Sequence, residues 1–450
     1  MPSLRASICM PFPQVLFTYQ SIDDFQHGVH YRMTATVCTI LVVVSTGLSV
    51  SAMAQESPMT YHVIDEHLSP FTFANSTAQI NTNNPLIAAP LITTPFVASK
   101  RPDTQIDWTM MATAHSPAQP IAAFIKDWDA PLDSGKHAYA QARTSLNVRP
   151  ADSAISYGLA WRYDYLMSFN QETADFYWQY KNKKIPNQNQ TYALQLEAQH
   201  NERIGANIGF TQQIIPNWQL TTYANIWQGQ HVLEGAAKGS ITSQALPEGE
   251  IARNIDRLNK TETYVDYYYD QPALGEEDLN WYPDKPSGYG YSLDLNLIGQ
   301  LSDNTQLSIR GYDILGRMHW KDAPSTEYIL DYDINRPTND KTRGQLNTDN
   351  VTQTLPWRVE GSLMHELNNQ WQLGVHGQVN EVYDLYQLSA GYQMHQVAYP
   401  ITITGLIEPQ TQALGVALDS QYGGIKLLTD SLDSEKAKRS EISLYGRYAW

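Results

Sequence analysis

Beyond residue 38 the chain has no cysteine. Its only two, Cys9 and Cys38, lie near the start, so the rest can build no disulfide framework and presents no free thiol to an oxidising compartment. Long apolar runs are equally scarce. A membrane-crossing helix needs about 20 consecutive apolar residues, and only TATVCTILVVVSTGLSVSAMA approaches that. Its apolar stretch, Val37 to Val50, is short for a span and gives way to Ala52-Met53-Ala54 ahead of Gln55. That pattern predicts an export leader over 1–54 with an A-x-A cleavage site, and Met33 is a plausible true start. Basic residues are outnumbered, 30 Lys and Arg against 46 Asp and Glu, for a net charge of -16. Such a balance excludes nucleic acid as a partner, because phosphates require Lys and Arg.

What the chain does contain is alternation. Residues 55–103 stand apart: NPLIAAPLITTPF places Pro85, Pro90 and Pro95 where a central strand or helix interior cannot tolerate them. That stretch reads as an arm, or as a plug packed inside something larger. From about Thr104 a period of two takes over. In SYGLAWRYDYLMSF, Tyr157, Leu159, Trp161, Tyr163, Tyr165, Met167 and Phe169 share one face, and Gly158, Ala160, Arg162, Asp164 and Ser168 the other. Successive strand residues point to opposite sides, so such a strand has one apolar and one polar wall. The split recurs where Leu194 and Leu196 oppose Gln195 and Glu197. It recurs again where Leu293 and Leu295 oppose Asp294, and where Leu373 and Val375 oppose Gln372 and His376.

The turns recur too. IIPNWQLTTYANI, LSDNTQLSIRGYDI and LNNQWQLGVHGQV each carry an apolar residue, two or three turn formers, then x-Gln-Leu and a new strand. Long polar connections alternate with these tight turns, at about 170–190, 234–287, 321–355 and 429–440. Strands are expected near 106–112, 138–148, 155–169, 190–214, 218–233, 289–301, 305–320, 357–367, 370–383, 385–397, 412–428 and 441–450. The expected fold class is all-β: an antiparallel barrel of about twelve strands, within a range of about 10–14, over 104–450. YVDYYYD, inside a long connection, offers a further hairpin. A soluble sandwich also has apolar inner faces, but its dry core has no place for Gln, Asp, Glu and Arg on the opposing faces. Strands of about ten residues fit a tilted membrane span, and Trp and Tyr near strand ends fit interfacial girdles.

The leader, the hairpin rhythm and the final strand ISLYGRYAW together resemble the Gram-negative outer-membrane β-barrel proteins. That group often ends in an alternating strand with a terminal aromatic read by the barrel-assembly machinery. Ile442, Leu444, Tyr448 and Trp450 occupy those positions here. Two departures are visible: Trp replaces the commoner final Phe, and Tyr445 stands where Gly is frequent, with Gly446 one place off. The resemblance implies short periplasmic turns, long extracellular loops and a periplasmic location for the 55–103 arm. It also implies contact with outer-membrane lipids and lipopolysaccharide.

Catalytic signals are weak. Ser389 and His395 share a strand face, but six residues separate them by roughly 20 Å, and a Ser-His pair needs about 3 Å. The other candidate histidines, His200, His231, His319, His365 and His376, form no metal-ligand spacing. No cofactor or metal is expected. The charge cluster LDSEKAKRS (Leu432 to Ser440) suits solvation or lipopolysaccharide contact, and TYVDYYYD could meet a polysaccharide or protein partner. Inward parity selects Arg162, Asp164, Glu197, Asp294, Arg310 and His376 as candidate lumen-lining residues. The functional expectation is a channel or transporter for small polar or cationic solutes. The alternatives are a non-conducting assembly, export or adhesion protein and a barrel-embedded lipid hydrolase.

Overall fold

A computed structural model describes residues 103–124, 137–245, 258–272, 276–333, 341–394 and 400–450. The expected leader, the arm apart from its last residue, and His395 lie outside the described residues. Sixteen strands form one sheet: β1 (Gln105–His115), β2 (His137–Arg149), β3 (Ile155–Phe169), β4 (Gln190–Ile215), β5 (Trp218–Ser243), β6 (Leu258–Tyr269), β7 (Ser287–Ser302), β8 (Thr305–Asp333), β9 (Lys341–Thr354), β10 (Arg358–Glu366), β11 (Trp371–Asn380), β12 (Asp384–Met394), β13 (Ile401–Glu408), β14 (Ala413–Ser420), β15 (Gly423–Thr429) and β16 (Arg439–Ala449). One helix, α1 (Gln171–Lys181), joins β3 to β4.

Fourteen of the strands close a ring, all of them except β6 and β9. Every pairing in it is antiparallel, and β16 seals against β1 from Gln105↔Ala449 to His115↔Arg439. Backbone bonds between Thr104 and Trp450 extend the seam by one pair. Both ends of the ring's sequence therefore lie at one rim, together with the tight turns 216–217 and 303–304.

The expected strand number was about twelve, and the structure corrects it to fourteen. The segment 412–428 is a hairpin, β14 and β15, joined through Gln421-Tyr422. Its outward apolar positions shift from even (Leu414, Val416, Leu418) to odd (Ile425, Leu427), which marks two strands where continuous hydrophobicity suggests one. Strand β13, outside the expected set, is only eight residues long and follows no x-Gln-Leu turn. The YVDYYYD segment is in β6.

The ring is apolar outside and polar within. Leu159 is 62% exposed and Ile226 68%, whereas Arg203 and Arg439 are fully buried. This inverts the rule for soluble proteins, in which charged side chains are almost never buried. Among the described residues no helix is long and apolar enough to cross a membrane. The closed ring satisfies the backbone of each strand laterally, as a hydrocarbon solvent demands.

The wall is uneven in height. β4, β5 and β8 run for 26, 26 and 29 residues, while β13, β14 and β15 have 8, 8 and 7. Strand β6 sits beyond β7 in the gap between the upper parts of β5 and β8, and β9 continues beyond β10 along β8. On one side, much of the expected 234–287 and 321–355 connections is thus strand rising beyond the ring. At the base of this rise the end of β9 reaches β4: Asn201 donates to Gln353 at 2.6 Å and Gln199 to the Thr354 carbonyl at 2.7 Å.

Leu159 lies on the outer face of β3, the fifth residue of the strand. Leu159→Arg is expected to destabilise the protein in lipid vesicles by about 2–4 kcal/mol. The readout is the urea midpoint for loss of the compact, heat-modifiable band on electrophoresis. The same substitution at Leu432, exposed in the β15–β16 connection, is expected to shift stability by less than about 0.5 kcal/mol.

Candidate functional site: a charged lumen

The alternation that turns leucine outward turns arginine and aspartate inward, and these meet in two networks. The first joins β3, β4, β7 and β8. Arg162 on β3 bonds Asp294 on β7 at 3.2 Å through one nitrogen, and reaches Asp313 on β8 at 2.5 Å. Arg203 on β4 bonds Asp164 and Asp313, each at 2.8 Å. Two guanidiniums thus share three carboxylates, with Asp313 common to both. Both cations also lie over the Trp227 ring, at 4.7 and 5.2 Å, and Trp227 donates its indole N–H to Ser292.

Asp313 reaches this position because β8 bulges. Tyr312 pairs with Arg358 of β10, but Arg317 already pairs with Thr354 of β9, so 313–316 arch out of register. Opposite them lie Leu355, Pro356 and Trp357, where the proline has no N–H to offer a ladder. Asp313 and Leu315 take φ of 54° and 55°, a left-handed conformation that costs an ordinary residue about 1–2 kcal/mol. The Asp313 N–H is bound by Asp294 at 2.9 Å, so the carboxylate that pairs with Arg162 also holds the bulge.

The second network lies across the ring. Arg439 on β16 bonds both oxygens of Glu408 at 2.7 and 3.1 Å, Glu441 at 2.5 Å and Thr113 of β1 at 2.6 Å. Lys426 pairs with Glu441 at 2.6 Å and donates to Gln387, which in turn donates to Glu408.

Arg358 links opposite walls. From β10 it donates to Gln141 on β2 at 3.2 Å, and it also holds Gln378 and Glu360 at 2.5 and 2.6 Å. Tyr383, between β11 and β12, donates to the same Gln141 and stacks on Tyr139 with centroids 3.8 Å apart. About eight strands suffice for side chains to fill a barrel. Here side chains meet across a ring of fourteen.

The selected residues fall in different places. Arg162, Asp164 and Asp294 are buried in the first network. Arg310 is half-buried on the same inner face, beside Asn296 at 3.4 Å. His376 is buried, donating Nδ1–H to the Gly361 carbonyl at 2.9 Å. It borders a cavity of about 10 Å³ with Ser362 and Ser389, room for about one water. Glu197 is exposed near the top of the β3–β4 ladder, where it pairs with Lys238 at 3.0 Å. At the terminal rim Tyr448 and Trp450 are exposed and stacked, while Arg447 bonds Asp107 of β1.

Several lumen residues escaped selection. Arg203 continues the odd-numbered polar parity of Gln195 and Glu197 and could have been found by extending it. Arg358 begins the parity of Glu360 and Ser362. Asp313 could not be found so, because the bulge moves it off the pattern. Glu408 and Lys426 belong to the strands missed in the count.

No family model matches the chain, and no curated protein matches it. Solved structures with some likeness include the Pseudomonas putida toluene transporter TodX, 11% identical over 78% of this chain and 89% of that one, with a TM-score of 0.34. A Pseudomonas aeruginosa FadL homologue is 10% identical over 77% and 89%, with a TM-score of 0.26. The Escherichia coli outer membrane protease OmpT is 11% identical over 79% and 99%, with a TM-score of 0.22. Scores this low add nothing to the fold drawn from strand pairing. That pairing, with the apolar exterior, makes this a membrane-type antiparallel β-barrel in its own right.

Removing the shared carboxylate should be costly. Asp313→Ala leaves Arg162 and Arg203 each short of a buried partner and is expected to lower the unfolding free energy by about 3–5 kcal/mol. Glu197→Ala, at an exposed pair, is expected to change it by under about 1 kcal/mol. Guanidinium unfolding of the two variants in vesicles, followed by tryptophan fluorescence, checks the contrast.

Proposed function

We propose that the protein is an outer-membrane channel or transporter for small polar solutes, whose lumen is closed by the contacts of Arg358 and opens when they part. The observation that carries this is the bridge from Arg358 to Gln141 between opposite walls. Burying charge costs several kcal/mol per ion after relaxation, and hydrophobic replacements are often as stable. An anchor alone would therefore gain little from this interior, whereas a path for polar solutes needs one. Side chains rather than a secondary-structure element make the crossing at this level, and side chains can move without unfolding the wall.

The preference for cations inferred from net charge has no counterpart in the lumen. On the inner face, among the described residues, six buried cations (Arg143, Arg162, Arg203, Arg358, Lys426, Arg439) stand against seven buried carboxylates (Asp164, Asp294, Asp313, Glu360, Glu408, Asp419, Glu441), while the buried Glu202 and Glu276 bond Trp161 and Tyr267 elsewhere. The proposed orientation puts the rim of Thr104 and Trp450 in the periplasm and the raised wall outside the cell. Ile442, Leu444, Tyr448 and Trp450 would serve barrel assembly, and the raised wall would meet lipopolysaccharide. Nothing in the geometry favours a lipid hydrolase or an adhesion role.

Planar-bilayer recording tests the channel. The wild-type protein is expected to show small, brief openings. Arg358→Ala removes the bridge to β2 and is expected to increase open time or conductance by several-fold. A correctly folded wild type and variant that both stay silent would sink the proposal.

A further inference from the structure

We infer that Arg143, in the lumen, is a docking group for the carboxylate of a small solute. The inference names the solute of the channel reading and rests on it. Among the five buried arginines of the described residues, Arg162, Arg203, Arg358 and Arg439 each hold at least one carboxylate. Arg143 holds none. It is 8% exposed, and its Nε, Nη1 and Nη2 all lack a hydrogen-bond partner.

The register explains this. On β2, Arg143 lies opposite Met111 of β1 and Arg162 of β3, so neither neighbouring strand places an acid directly opposite it. The acids nearby are engaged: Asp164 by Arg203, Asp294 by Arg162, Asp313 by both, and Glu360 by Arg358. Across the lumen, the Tyr312 ring of β8 lies 4.3 Å under the guanidinium. One flat face of the cation is therefore covered by an aromatic ring, while its N–H edges are unsatisfied.

A guanidinium carries five N–H donors in one plane. Leaving the donors of a buried charge unmet is among the costlier arrangements in a protein, so an acceptor from outside the protein belongs there. The fork matches a carboxylate with two parallel hydrogen bonds, which a spherical anion cannot reproduce. The position is also apt. Arg143 is two residues along β2 from Gln141, the far anchor of the Arg358 bridge, on the same face and about 7 Å away. A solute held at Arg143 therefore sits beside the closure.

Calorimetric titration of the full, detergent-folded protein with sodium benzoate tests the site. Benzamide, sodium phosphate and sodium chloride at matched ionic strength serve as comparisons. Saturable benzoate binding is expected, with no binding of benzamide and weaker binding of the inorganic anions. Arg143→Gln should weaken benzoate binding by about tenfold or more, and Arg143→Lys should restore only part of it. Tyr312→Leu, which removes the stacked ring and keeps the charge, should also weaken it and serves if Arg143→Gln does not fold. The site is overturned by a wild type that does not bind benzoate, or that binds benzamide or chloride equally well. It is also overturned by a folded Arg143→Gln protein with unchanged affinity, which would leave water as the acceptor. Benzoate binding in a protein that never conducts sinks the channel and keeps the site, and conductance without benzoate binding does the reverse.

Discussion

Hydrocarbon offers a strand no hydrogen bonds, so every backbone N–H and C=O at the height of the lipid must be met by a neighbouring strand. The closure of β16 on β1 follows from that constraint, and so does the alternation of side chains on which the interior depends. Once the ring is closed, a residue points to lipid or to lumen with no third choice. Arginine and aspartate cannot face lipid cheaply, so they collect inside. There they must find one another, because unpaired charge within a narrow lumen costs more than the pairs do. The two networks are thus a consequence of the ring's closure as well as a reinforcement of it.

The first network shows how local irregularity serves that pairing. A strictly regular β8 would alternate through 313–316 and could not deliver a carboxylate to both Arg162 and Arg203. The bulge, placed where Pro356 leaves the opposite strand short of a donor, turns Asp313 inward. The strained φ of Asp313 is offset by the Asp294 carboxylate on its own N–H and by two guanidiniums on its side chain. Strain, bulge and ion pair are one arrangement, and removing any part of it releases the others.

Much of this architecture was legible in the sequence because a membrane barrel writes its fold locally. The period of two in SYGLAWRYDYLMSF became β3, with Leu159 outside and Arg162 and Asp164 inside. The x-Gln-Leu turns became the tight end of the ring. What failed were features that a continuous alternation hides. A two-residue turn at Gln421-Tyr422 reverses the chain with Gly423-Gly424 just after the turn instead of at its centre, so β14 and β15 read as one. Partnership across the lumen is likewise invisible to parity, which gives a side chain's face but not its opposite number. Glu197 has the inward parity of Arg203, but it stands near the top of the β3–β4 ladder, opposite Ser168 and beside a part of β5 that has left β7, and it ends exposed.

The rising wall raises a question that the ring itself avoids, because a strand above its neighbour has an unpaired edge. Open edges recruit other chains. On β4 the edge is covered from within. Asn170 caps α1 by accepting the Thr173 N–H at 2.8 Å, and donates to the Ala193 carbonyl at 2.8 Å. Thr173 accepts the Gln195 N–H, and Glu172 accepts that of Ala193. The first turn of one helix thus supplies the hydrogen bonds that a further strand would have made. Phe176, on the same helix, packs with Tyr192, Leu194 and Ile241 on the outward face of the wall. The helix therefore lets β4 and β5 stand above β3 without inviting another copy to pair, and it keeps apolar residues beyond the ring out of water. Height on one side of the mouth is possible because its edge chemistry is settled by residues adjacent in sequence.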